Sequence, residues 1–148
     1  MGADSVSGDC WEMKRLSLNT ASKYLSGYHC MDQIYPQLKR LSSPDIHDFD
    51  SFQPGDEDCF AFLLDALFGP ERADGEESFS MIVCTPNWLE RELEERKVIS
   101  GRNYLIVKRY DIDAIRSYLS HYAARCSGEN WQVVAQKLSR IGSWEFEE

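Results

Sequence analysis

No two cysteines of this chain stand in a CxxC pair, and no histidine joins two cysteines in a zinc-ligand pattern. The common zinc frameworks are therefore excluded. The five cysteines, Cys10, Cys30, Cys59, Cys84 and Cys126, are widely spaced and odd in number, which does not read as a disulfide set. Cys59 and Cys84 lie in apolar runs, so packing in a reducing cytosol is the better reading. No apolar run approaches the roughly 18 residues that a membrane span requires. The N-terminus lacks the charged start and apolar centre of a secretory signal. Glycine-rich phosphate cradles are missing too, because Gly55, Gly69, Gly75, Gly101, Gly128 and Gly142 all punctuate element ends. Positive charge is scarce: 16 Lys and Arg stand against 25 Asp and Glu, a net charge of -9 with a pI near 4.8. That balance argues against nucleic acid as a direct ligand and against an anionic membrane surface. It favours solvent exposure or a cationic protein partner.

What is present is a globular chain, 43% hydrophobic and 12% aromatic over 148 residues, enough for one domain with one core. Residues 1–33 differ from the rest. "SLNTASKYLSGYHCMDQ" is rich in Ser, Thr, Gly and Asn without sustained periodicity, and reads as a flexible or loosely packed extension, with Met31 an alternative start. Residues 34–148 read as a single α+β domain. "IYPQLKRLSS" forms a first strand, at an edge because Pro36 cannot donate to a ladder. "CFAFLLDALFGP" places Phe60, Phe62, Leu64, Ala66 and Phe68 on one face with period two. "SFSMIVCTP" repeats that pattern with Phe79, Met81 and Val83. Thr85 and Pro86 then open a short helix, "NWLERELEERK", whose Trp88, Leu89 and Leu93 are expected to face inwards. "RNYLIVKRYD" reads as a strand of the central group. Asp111 caps a helix with apolar positions Ile112, Ile115, Leu119, Tyr122 and Cys126. A last helix carries Trp131, Val134, Ala135, Leu138 and Ile141, with Gly142 at its C′ position. "SWEFEE" ends the chain as a short strand or packed tail. The order implies a mostly antiparallel sheet of about four or five strands with two or three helices on one face.

Between Ser42 and Phe60, "SSPDIHDFDSFQPGDEDCF" holds six carboxylates and no Lys or Arg. It is read either as a solvated loop or as a surface for a basic partner, with Asp45, Asp48, Asp50, Asp56, Glu57 and Asp58 as the candidate contacts. Trp144, alternating with acids in the tail, is read either as docked on the sheet or as an exposed aromatic anchor for that partner. Catalysis finds little support. The pairs Asp45/Asp48 and Asp56/Asp58 lack the apolar flank that raises one pKa of an acid–base couple. The calcium-loop spacing fails, since Phe52 stands where a ligand belongs. No Cys nucleophile is placed beside His121 by sequence. No catalytic residue, metal or cofactor is expected. A small Cys-His hydrolase built on Cys84 or Cys126 with His121 stays as the remote alternative, behind an adaptor or regulatory binding domain.

"SSPDI", "ESFSMIVCTPNWL", "GRNYLIVKRYD" and "CSGENWQVVAQKLSRIGSWEFEE" occur in an order and spacing that resemble the immunity protein 8 family (Imm8). The resemblance covers about residues 37–148. Members of that family are small α+β proteins of bacterial polymorphic toxin systems, typically encoded beside the toxin they neutralise. The resemblance thus implies a cytoplasmic bacterial protein, without enzymatic activity, that inhibits a cognate toxin by stoichiometric binding. Many such toxins are nucleases, whose cationic grooves would suit an acidic inhibitor. The resemblance assigns no interface residues, and the oligomeric state, monomer or weak dimer, stays open.

Overall fold

The computed structural model describes residues 33–147. The expected extension lies, up to residue 32, outside the described residues. Five strands and three helices follow one another: β1 (Pro36–Ser42), β2 (Ala61–Pro70), β3 (Glu77–Cys84), α1 (Pro86–Arg96), β4 (Tyr104–Ile106), α2 (Ile112–Ala124), α3 (Trp131–Leu138) and β5 (Ser143–Trp144).

β1, β2 and β3 form an antiparallel meander. β4 then lies parallel to β3 over Ile82–Cys84, while β5 runs antiparallel to β3 over Phe79–Ser80. The sheet is therefore mixed, and one pairing departs from the antiparallel pattern. A parallel neighbour needs a crossover, and α1 supplies it. The fold is α+β as the order of elements implied.

The core lies against one face of this sheet. Strict alternation in β2 and β3 sends Phe62, Leu64, Ala66 and Phe68, with Phe79, Met81 and Val83, inwards, and all are buried. They meet Ile112, Ile115, Leu119 and Ala123 of α2 and Val134, Ala135 and Leu138 of α3 in one cluster. Each large side chain so buried contributes about 1.5–3 kcal/mol, which is why a two-residue pattern read in sequence locates these strands securely. Asp111 caps α2 through the Ala114 amide (3.1 Å), and Asn130 caps α3 through Val133 (2.9 Å).

Three expectations are corrected. α1 buries no residue, and its Leu93 is 40% exposed, because a helix with four glutamates and only three large apolar residues has little surface to offer a core. β4 is a three-residue edge strand instead of a central one, pairing with β3 alone, and Asn103 with φ 66° turns the chain immediately before it. α3 stops at Leu138 with Ser139 as its cap, so Gly142 is not its C′ residue. Gly142 instead lets the chain close on β3: a Cβ there would stand 3.1 Å from both Met81 Cε and Phe79 Cβ.

Candidate functional site

The acidic segment leaves β1 at Ser42 and re-enters the sheet at Ala61. Although irregular, it is anchored. Ile46 is 4% exposed and joins the core, and Phe49, Phe52 and Phe60 pack partly against it. Phe52, Phe60 and Phe62 surround the Tyr110 ring at centroid distances of 5.0, 6.4 and 6.0 Å. The Tyr110 hydroxyl donates to the Phe49 carbonyl at 2.5 Å. Burial, with the charges of Asp50 and Asp48 as lesser contributors, pushes the Tyr110 phenol above its usual range.

The six carboxylates do not behave as one set. Asp45 Oδ2 accepts the Leu63 amide at 2.9 Å, where β1 has already ended and that N–H of β2 has no strand to donate to. Asp48 accepts the Asp50 amide (3.1 Å) and the Ser51 hydroxyl (2.9 Å). Asp56 accepts the Asp58 amide (3.0 Å). These three close turns and seal the sheet. Asp50, Glu57 and Asp58 are exposed and accept no hydrogen bond from the described residues, so their charge is free to face outwards. Beside the first half of the loop lies an open pocket of about 510 Å³, lined among others by Asp45, His47, Asp48, Asp50, Arg40 and Arg116.

Trp144 lies apart from this loop in sequence and serves the fold. Its ring stacks on Phe79 at 6.3 Å and its indole donates to Glu77 Oε1 at 2.8 Å. Trp131 donates to the same oxygen at 2.7 Å, so one carboxylate holds two helix- and tail-borne indoles. The exposed aromatic of the tail is Phe146, at 59%.

Sequence reasoning missed the outer face of the sheet. Leu63, Ile82 and Tyr104 are register partners across β2, β3 and β4, with Ile106 in the neighbouring row. Next to them run Ser42, Asp65, Ser80 and Ser143, where the Ser80 hydroxyl donates to Asp65 at 2.5 Å. The odd-numbered residues of "FLLDALF", Leu63, Asp65 and Leu67, carried this signal, but an exposed apolar residue in a strand is unremarkable taken singly.

Chemistry is poorly served among the described residues. Burial pushes the Cys84 thiol up to about 11 and raises that of Cys126, whose sulfur donates to the Tyr122 carbonyl at 3.3 Å. Both are therefore neutral thiols near pH 7, and His121 is exposed on α2. Among the described residues no group of three or more His, Cys, Asp or Glu is placed to hold a metal ion, and no helix is long and apolar enough to cross a membrane.

The described residues thus form an α+β body with an anchored, outward-facing acidic loop. A family model described as immunity protein 8, Imm8, matches residues 36–148. The chain belongs to the Imm8 family. No curated protein and no solved structure matches it. The Imm8 match opens at Pro36, the first residue of β1, and therefore takes in every strand and helix described above, the acidic loop included.

Proposed function

We propose that this Imm8 protein neutralises a cognate bacterial toxin by binding it one to one in the cytoplasm, without turnover, and that the toxin is a nuclease met through its cationic phosphate-binding surface. Membership of an immunity-protein family carries the reading. The distribution of charge supports it. Between Ser42 and Glu77 eleven acids stand against one base, Arg72. Asp50, Glu57 and Asp58 project from a loop whose backbone is already fixed by Tyr110 and by its own turns, so little ordering entropy opposes capture. Complementary charge of this kind raises association rates to about 10⁸–10⁹ M⁻¹s⁻¹ at low salt, against roughly 10⁵–10⁶ for neutral pairs. Speed is the property an inhibitor needs once its target is inside the cell.

The deciding experiment co-expresses this protein with the toxin encoded beside it. Survival of the cells together with co-purification of an equimolar complex is the expected result. Death of the co-expressing cells at normal levels of folded inhibitor overturns the proposal.

A further inference from the structure

We propose that the outer face of the sheet, centred on Leu63, Ile82, Tyr104 and Ile106, is the desolvated heart of the contact with the toxin, and that the acidic loop forms one side of its rim. This rests on the immunity reading above and names the surface through which it acts. Three observations carry it.

The first is the arrangement itself. Leu63, Ile82 and Tyr104 stand side by side on adjacent strands, and Ile106 lies in the next row, paired with the buried Cys84. Leu63 is 37% exposed and Ile106 55%. In most antiparallel sheets with one solvated face, that face is polar. Here an aliphatic and aromatic row crosses three strands, which is the composition of an interface core.

The second is that the sheet offers a partner no better purchase. The β1 edge carries Pro36 and a bulge between Leu38 and Arg40, and the β4 edge is three residues long. Both devices discourage strand addition, so a partner docks face-on.

The third is charge. Asp45 is bonded to the backbone of Leu63, and Asp65 lies two residues further along the same face. The loop that carries Asp50, Glu57 and Asp58 starts at Ser42, which shares a row with Asp65. An apolar row bordered by carboxylates fits a protein surface with apolar side chains at its centre and Lys or Arg towards the loop. A second copy of this chain would bring Asp45 and Asp65 against another acidic face at a net charge of -9 per chain, so the occupant is a basic partner.

The test measures binding of the full chain to the toxin domain encoded beside it, inactivated by substitution in its catalytic centre, using surface-immobilised toxin and stopped-flow. Two double variants are compared with wild type: Leu63→Lys with Ile106→Lys, and Leu63→Thr with Ile106→Thr, the second using strand-favouring β-branched side chains should the first fold poorly. Expected are a loss of affinity of about 100-fold or more for the Lys pair and about 30-fold for the Thr pair, carried mainly by faster dissociation. Melting temperatures of the free variants should match wild type. Affinity unchanged in a folded variant overturns the inference while leaving the immunity reading intact. Failure of wild type to bind overturns the immunity reading itself. A free protein that light scattering shows to be a dimer, dissolved by these substitutions, assigns the face to a second copy and overturns the proposal. A large drop in melting temperature of the Thr pair without toxin does the same, because the face would then be covered within the chain.

Discussion

Glu77 illustrates how much of this fold rests on single polar atoms. Its Oε1 accepts the indole N–H groups of both Trp131 and Trp144, thereby tying α3 and the C-terminal strand to the start of β3. Replacing it by leucine leaves two partly buried donors without a partner, each worth about 1–3 kcal/mol. Urea unfolding of Glu77→Leu should show a loss in that range or above it, and Glu77→Gln, which keeps a carbonyl oxygen in place, should recover most of it. The thiols give a pH prediction. Cys84 has its folded pKa raised from 9.0 to about 11 by burial, and Cys126, Tyr110 and Tyr122 are displaced the same way. Above pH 9 the unfolded chain therefore binds fewer protons than the folded one, so stability is full below that pH and falls as pH climbs towards 11. Denaturant midpoints at pH 8, 9.5 and 10.5 should decline in that order. Among the described cysteines, thiol labelling of native protein at pH 8 should spare Cys84 and Cys126 and modify the half-buried Cys59.

At the scale of elements, the acidic loop is held by side chains far from it in sequence. Tyr110→Phe removes only the hydroxyl that reaches Phe49, 61 residues away. It should cost about 1 kcal/mol in global stability and produce faster amide exchange confined to residues 46–52. Such a tether is invisible in a linear reading, since nothing in "KRYDIDA" indicates which carbonyl the phenol will meet. β2 and β3 were legible because burial of one face imposes period two on the residues themselves. The same logic misled for α1, where Trp88, Leu89 and Leu93 do fall at helical spacing but the helix serves as a crossover and leaves Leu93 exposed. β4 was overextended because "YLIV" has strand chemistry, whereas its pairing is confined to Ile82–Cys84 of β3 and the positive φ of Asn103 bounds it on the N-terminal side. The candidate site was legible in part. The loop's charge could be counted from sequence, but its division into structural and outward carboxylates depends on where β1 stops and Leu63 is left with an unpaired amide.

For the whole molecule, that division decides which charges to reverse. Changing Asp50, Glu57 and Asp58 to Lys should leave stability within about 0.5 kcal/mol, as expected for exposed sites whose carboxylates bond no other described residue. The same triple variant should slow association with the toxin by tenfold or more at low ionic strength and flatten its dependence on salt. Dissociation should change far less, in contrast to substitutions on the outer sheet face. Including Asp45, Asp48 or Asp56 would confuse the result, because each also closes a turn or seals the sheet. The shared carboxylate of Glu77 has one more consequence, an optical one. Two of the four tryptophans are clamped to one anion at the junction of the final helix and the terminal strand. Their ultraviolet emission is thus a label-free gauge of whether that end of the chain is latched, and it can be followed during the proposed capture of a toxin without attaching a dye.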